Sequence, residues 1–124
     1  MFRLLISGSR DWSDKLTITR ELAVFAREHG EDVVLVSGAC YKGADLICES
    51  VAKTFGWVIE THPAKWDKKP DGSYNRGAGF KRNELMVNLG ADACLVFIKN
   101  GSAGASHTAG LAQKAEINTK VITA

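Results

Sequence analysis

Short apolar runs alternate with helix-like segments along this chain, and no other feature constrains the fold as strongly. Most of the runs lack a strict apolar/polar alternation, which is typical of strands that are covered on both faces. The predicted strands are residues 2–6, 33–36, 57–61, 93–98 and 120–123, and the predicted helices are residues 14–29, 44–55, 79–89 and 105–115. The order β-α-β-α-β-α-β-α-β predicts an α/β fold, a Rossmann-like parallel five-stranded sheet with helices on both faces.

Local signals place the helix ends and one buried face. Ser13 or Asp14 is the expected cap of the first helix, and a glycine follows each of the first three helices, as suits the left-handed residue that ends a helix. These glycines are Gly30, Gly56 and Gly90. On the third helix we expect Leu85, Met86 and Leu89 to face inward.

Length and composition set the class of protein. The chain has 124 residues, of which 45% are apolar and 24% charged, so one globular domain over residues 1–124 is expected. The three cysteines show no metal-binding spacing, so we expect reduced thiols, no metal site and a cytoplasmic location. No apolar stretch approaches the roughly 18 residues that span a bilayer, and no secretory signal is evident, so no membrane partner is expected.

Three of the predicted strands end in glycine-rich loops, the first at residues 7–12, the second at residues 37–45 and the third at residues 100–108. In an open parallel sheet, ligands bind at the carboxyl ends of the strands, and glycine lets the backbone approach an anion at the start of the next helix. Such loops also occur as simple tight turns, so each one alone is ambiguous. Together they predict a phosphate-binding site formed by Gly8, Ser9, Arg10, Gly38, Ala39, Gly43, Gly101, Ser102, Gly104 and Ala105.

Several polar side chains near these loops each allow two interpretations. Arg10 either pairs with a phosphate or lies on the surface, and Arg82-Asn83 is either part of the site or an ordinary polar helix start. Asp45 either caps the second helix, the reading we favour here, or binds a ribose hydroxyl. Arg82 and Glu84 are the candidates for catalysis, although Glu84 equally suits the helix dipole.

A basic segment and scattered aromatic and histidine side chains complete the candidates. Residues 65–82 contain six basic and two acidic side chains, a local charge of +4 against +2 for the whole chain. The segment is either a solvated loop or a flap over an anionic ligand, and we expect residues 65–79 to be poorly ordered without ligand. Trp12 and Trp66 either stack on a base or cover the core, and His107 is the histidine that lies closest to a glycine loop.

The motifs, taken together, resemble a known family. They are Gly8-Ser9-Arg10, Ser37-Gly38-Ala39 with Gly43-Ala44-Asp45, Pro63-Ala64-x-Trp66, Ala78-Gly79-x-x-Arg82-Asn83-x-x-Met86, Ala91-Asp92 and Gly101-x-x-Gly104. The chain resembles the YspA/YpsA-related branch of the SLOG superfamily, which is found in bacterial and phage genomes. The superfamily also contains the Lonely Guy phosphoribohydrolases and DNA-processing protein A. The resemblance implies a modified Rossmann fold that binds nucleotide-like ligands, with NAD- or ADP-ribose-related molecules as the expected class and a homodimer as an expected state.

One departure from the Lonely Guy pattern concerns catalysis. That family carries Pro-Gly-Gly-x-Gly-Thr-x-x-Glu after the fourth strand, whereas here Ser102, Ala105 and Thr108 stand at the second glycine, the threonine and the catalytic glutamate. Arg82 matches the arginine of the family's Arg-Lys pair and Asn83 replaces the lysine. The resemblance therefore implies phosphate binding without the hydrolytic chemistry.

The sequence thus favours binding or sensing of a phosphate-bearing nucleotide or nucleotide derivative, with no other cofactor. Two alternatives stay open. One is N-glycosidic hydrolysis of a nucleotide, and the other is binding of single-stranded nucleic acid through residues 65–82. The mild net charge of +2 makes the nucleic-acid reading the weakest of the three.

Overall fold

The computed structural model describes residues 1–64 and 77–124 and contains the nine expected elements. The strands are β1 (Phe2–Gly8), β2 (Val33–Ser37), β3 (Val58–Thr61), β4 (Ala93–Ile98) and β5 (Asn118–Thr123). The helices are α1 (Lys15–His29), α2 (Ala44–Thr54), α3 (Ala78–Asn88) and α4 (Ala103–Lys114). The predicted elements are confirmed, with ends that differ by one or two residues at most positions. No helix in this described part is long and apolar enough to cross a membrane.

The five strands form one parallel sheet in the order β3-β2-β1-β4-β5. The chain first builds outward from β1 to β3 and then returns to place β4 on the other side of β1. The order therefore reverses between β1 and β4, and the loops that follow these two strands diverge from a shared crevice. This reversal point is where open α/β sheets bind their ligands.

Two apolar layers cover the sheet, one on each face. Alternate strand residues point to opposite faces, so Leu4 packs with the α1 and α2 side chains while Leu5 packs with those of α3 and α4. Trp12 belongs to the first layer, where it is buried and contacts the ring of Phe97 edge-on at 5.4 Å. Helices thus cover both faces, as predicted, and Trp12 has the core role rather than a base-stacking one.

The helix ends follow the local signals. Asp14 caps α1 by accepting the N–H of Thr17 at 3.1 Å, which decides between the two candidate caps. Gly30, Gly56 and Gly90 all have positive φ, as expected for residues that end helices in the left-handed region.

The expected inward face of α3 is partly wrong. Met86 is buried, but Leu85 and Leu89 are 50% and 51% exposed. The helix packs chiefly against α4, and its buried residues are Ala78, Asn83, Met86 and Val87. The helical period identifies which residues share a face, whereas the neighbouring element decides which face is covered.

Two of the cysteine thiols are buried, and one ion-pair network links β1 to β3. Cys48 and Cys94 are buried and free, and burial raises the pKa of Cys94 to about 12. On the α3 side of the sheet, Arg3 donates two hydrogen bonds of 2.9 Å to Glu60, and His62 contacts the same carboxylate at 2.8 Å. These hydrogen bonds lower the pKa of Glu60 to about 2, with Arg3 the larger cause.

Candidate functional site

A cleft of about 1260 Å³ lies at the carboxyl ends of β1, β2 and β4. Ligand pockets commonly measure about 300–1000 Å³, so the volume accommodates a nucleotide-sized molecule. The described lining residues are Ser7, Gly8, Ser9, Arg10, Asp11, Gly38, Ala39, Cys40, Tyr41, Lys42, Asp45, Pro63, Ala64, Gly79, Phe80, Arg82, Asn83, Lys99, Asn100, Ser102, Gly104 and Ala105. The structure therefore brings eleven of the thirteen predicted ligand-binding residues to one cleft, and Gly43 and Gly101 are not among its described lining residues.

Ser9 joins the first and third loops. Its backbone N–H donates to the Phe97 carbonyl at 2.8 Å, its hydroxyl donates to the Lys99 carbonyl at 3.2 Å, and it accepts the Lys99 N–H at 2.8 Å. A hydroxyl has one proton to donate, and Ser9 donates it within the protein. The Ser9 side chain therefore fixes the first and third loops to each other.

Gly43 joins the second loop to the first. It has a φ of 76°, and a Cβ at this position would collide with the backbone of Ser9 and Arg10. The close approach lets the Ala44 N–H donate to the Ser9 carbonyl at 3.1 Å. Gly43 therefore shapes the site through backbone contact, which is why a residue outside the cleft lining carries part of the motif.

Arg82 is held by backbone groups of two strand ends. Its guanidinium donates to the carbonyls of Gly38 at 2.5 Å and His62 at 3.4 Å, and its Nε donates to the Asn83 side chain at 2.9 Å. A Cβ on Gly38 would overlap the guanidinium, so the glycine makes room for this arginine. Burial lowers the pKa of Arg82, and the carboxylate of Asp45 opposes that effect.

Asp45 lies at the start of α2 but does not cap it. The N-cap position is Gly43 and has no side-chain hydrogen bond, so the expectation of a capping role is wrong. The side chain turns instead to the second loop, where Oδ2 accepts the Cys40 N–H at 3.3 Å. Burial raises the pKa of Asp45 to about 6, and the Cys40 N–H and Arg82 only partly offset this.

The third loop positions the start of α4. Ser102 caps the helix by accepting the Ala105 N–H at 3.4 Å, and the Asn100 amide donates to Asp11 at 2.9 Å across the cleft mouth. The N–H groups of the first helical turn have no acceptor within the helix, so those at Ala103 and Gly104 suit an anion. Gly101 has a φ of 63° and makes the turn that aims this helix at the cleft.

Two loop residues with side chains adopt left-handed backbone conformations. Ala39 has a φ of 56° and Asn100 a φ of 55°, and both line the cleft. Asparagine tolerates this region, whereas alanine pays a conformational cost there. Strained residues of this kind cluster at ligand sites. The sequence carries no signal that Ala39 adopts this conformation.

Asn83 and His107 connect α3 to α4. The Asn83 amide donates to the Gly104 carbonyl at 3.3 Å and contacts the His107 ring at 3.5 Å, while His107 packs edge-on against Phe80 at 4.6 Å. His107 is not among the described lining residues of the cleft. Asn83 therefore links α3 to the third loop through Gly104 and His107.

Glu84 does not reach the cleft. It lies in a separate groove of about 320 Å³ between α3 and α4, with Lys114 and Leu111 among its neighbours. The carboxylates that line the cleft in the described residues are Asp11 and Asp45. Glu84 follows Arg82 by two residues, which turns it about 200° around the helix and away from the cleft.

The cleft lining carries more positive than negative charge. Five further lining residues were not predicted from the sequence although they lie within or next to the predicted loops: Asp11, Cys40, Tyr41, Lys42 and Lys99. Arg10, Lys42, Arg82 and Lys99 face two carboxylates among the described lining residues, so the cleft favours an anion. No group of three metal-ligating side chains occurs in the described segments. Trp66 and most of the basic segment 65–82 lie outside them.

Comparison with known proteins finds similarities over segments of the chain that include these loops. A family model described as "YspA, cpYpsA-related SLOG family" matches residues 2–68, which include the first two loops of the cleft. The chain belongs to this SLOG family. The chain is also similar to the Gene 61 protein of Mycobacterium phage D29, with 37% identity over 122 residues that cover 94% of this chain and 93% of that protein. The similarity to this phage protein therefore extends beyond the segment that the SLOG family model matches, and it includes the Arg82 region and the third loop.

Proposed function

We propose that this SLOG-family protein binds a phosphate-bearing nucleotide or nucleotide derivative, of the NAD or ADP-ribose type, at the carboxyl edge of its sheet. The observation that carries the proposal is the union of three strand-end loops into one cleft at the point where strand order reverses. Hydrogen bonds through Ser9 and the Ala44 N–H hold these loops together. Binding sites require residues that supporting hydrogen bonds hold in a fixed geometry.

The charges support a phosphate in particular. Arg10 supplies a guanidinium that can bind two phosphate oxygens at once, and the first turn of α4 supplies backbone N–H groups at Ala103 and Gly104. Both elements end at the same cleft. A phosphate between them would meet donors from β1 and from α4.

A screen of nucleotides tests the proposal. Purified protein is mixed with AMP, NAD, ADP-ribose and cyclic nucleotides, and melting temperature and binding heat are recorded. We expect at least one compound to stabilise the protein, since a ligand at 100 times its Kd adds about 2.7 kcal/mol. Failure of a folded sample to bind any of them would refute the proposal.

Arg10→Ala links binding to the cleft, with Arg20→Ala as its matched control. Arg20 is an exposed residue of α1 and is absent from the described cleft lining. Loss of a charged hydrogen-bonding partner costs about 1.5–3 kcal/mol, so Arg10→Ala should weaken binding by about tenfold or more. Equal affinities of the two variants would place the phosphate elsewhere.

N-glycosidic hydrolysis is the second candidate, and the observation in its favour is that Asp11 and Asp45 line the cleft. Against it, residues 105–114 contain no acid, so α4 brings no carboxylate to the ligand. We propose retention of the ligand without turnover. Release of free base from AMP or NAD at a rate on the order of 1 s⁻¹, measured by chromatography, would establish the hydrolase instead.

We also propose a cytoplasmic, single-domain protein over residues 1–124 that forms a homodimer. Light scattering of purified protein tests the dimer directly, and a monomeric mass would exclude it.

A further inference from the structure

One carboxylate oxygen of a residue that lines the cleft has no hydrogen-bond partner among the described residues. Asp45 is only 6% exposed, and its Oδ2 accepts the Cys40 N–H. Its Oδ1 is shielded from solvent and has no hydrogen-bond partner in the described residues. The great majority of buried polar groups are hydrogen-bonded, so an unpartnered carboxylate oxygen beside a cleft indicates a partner that arrives with the ligand.

Helix capping and the loop hydrogen bond do not account for this carboxylate. Asp45 does not cap α2, and an asparagine could also accept the Cys40 N–H. Burial disfavours its charged form, since the pKa is raised to about 6. The fold therefore retains a costly acid where a neutral amide would serve the loop.

The charged surroundings of Asp45 decide which donor it can receive. Arg82 and Arg10 act on it as positive charges and Glu49 as a negative one. A cationic ligand group would face both arginines, whereas a neutral hydroxyl would not be repelled. The required partner is thus an uncharged hydroxyl donor on an anionic molecule.

The position of Asp45 relative to the phosphate donors identifies that hydroxyl. The preceding residue, Ala44, hydrogen bonds to Ser9 at 3.1 Å, so Asp45 stands one residue from the loop that carries Arg10. In a nucleotide the sugar is bonded directly to the phosphate, and the base lies beyond it. The sugar hydroxyls are therefore the donors nearest to a phosphate bound at Arg10.

We propose that Asp45 accepts a hydrogen bond from a free ribose hydroxyl, at the 2′ or the 3′ position, and that the cleft selects nucleotides that carry this hydroxyl over those that lack it. This proposal rests on the proposed nucleotide-binding function and names the substrate class of the same site. DNA lacks the 2′ hydroxyl and its internal 3′ oxygens are esterified, so the same contact discriminates against DNA.

The test compares AMP, 2′-deoxy-AMP and 3′-deoxy-AMP by calorimetry on the wild-type protein and on Asp45→Asn. A hydrogen bond to a charged group corresponds to about tenfold to a hundredfold in affinity. The wild type should bind AMP at least tenfold more tightly than one of the deoxy compounds, and Asp45→Asn should bind all three within about threefold. Glu49→Gln is the matched control, because Glu49 hydrogen bonds to Ser37 and is absent from the described lining; it should keep the wild-type preference.

Competition by inorganic phosphate distinguishes failure of the ribose contact from failure of nucleotide binding. Phosphate should compete with AMP equally well in wild type and Asp45→Asn, because the phosphate donors are unchanged. Equal binding of AMP and both deoxy compounds by the wild type would overturn the ribose proposal and leave nucleotide binding intact. Absence of binding of AMP and of phosphate would overturn both the ribose proposal and nucleotide binding. A preference for AMP that survives in Asp45→Asn would overturn the role of Asp45.

Discussion

Replacing Asp45 with asparagine should stabilise the protein at neutral pH. Burial raises the pKa of this carboxyl from 3.8 to about 6, and at 1.36 kcal/mol for each pKa unit this amounts to about 3 kcal/mol. The cost arises because the folded protein holds a charge in a poorly solvated place that the unfolded chain exposes to water. Asparagine keeps the acceptor for the Cys40 N–H and removes the charge.

The sign of the pH dependence follows from the raised pKa. Below about pH 3.8 the carboxyl is protonated in both states, so it carries no penalty. Between about pH 3.8 and 6 the unfolded chain has released the proton and the folded protein still holds it, so wild-type stability falls as pH rises. Above about pH 6 the penalty is complete, and Asp45→Asn should then exceed the wild type by up to about 3 kcal/mol.

Urea unfolding and thermal melts at several pH values between 4 and 8 measure this difference in stability between Asp45→Asn and the wild type. At pH 7.5 the variant should melt roughly 10 °C higher for a chain of this size, and the two proteins should converge near pH 4. A stability difference that stays constant over this range, or a variant that is less stable at pH 7.5, would refute the reasoning. Higher stability together with a lost ribose preference would mark Asp45 as a residue kept for function.

Glu60→Gln provides the control with the opposite sign. The pKa of Glu60 is lowered to about 2 by Arg3 and His62, so its stabilisation is present above its unfolded pKa of about 4.5 and is lost as pH falls toward 2. The variant should be less stable than wild type by about 1 kcal/mol, because the pair is partly exposed. That difference should shrink as pH falls below about 4.5, whereas the one for Asp45→Asn shrinks as pH falls below about 6.

The remaining predictions concern backbone fit. Gly8→Ala should destabilise the protein by about 3 kcal/mol, since the new Cβ would overlap the Ala44 Cβ and the Phe97 carbonyl; a thermal melt within 2 °C of wild type would contradict this. Gly110→Ala, within α4 and with nothing within 4 Å of its Cβ, should stabilise by about 0.5–1 kcal/mol in the same assay. Ala39→Gly should raise stability in urea by about 0.5–1 kcal/mol because it relieves a left-handed alanine, and a loss of stability would show that the conformation is unstrained.

The fold was accessible from sequence because its signals are local. Strands buried on both faces require continuous apolar runs, and Ala93–Ile98 is such a run with both faces covered. The glycines after α1, α2 and α3 report a backbone conformation that few other residues adopt. The cleft followed from topology, because parallel strands bring the loops after them to one edge.

The roles of individual side chains were decided only by tertiary structure. Ser9 uses its hydroxyl on Lys99, 90 positions away, and Asp45 turns from the helix it precedes toward Cys40. Leu85 and Leu89 stay exposed because α3 packs on α4 and not flat on the sheet. Local sequence determines which elements form and where their loops meet, whereas the partner of a polar group depends on distant segments that reach it only after folding.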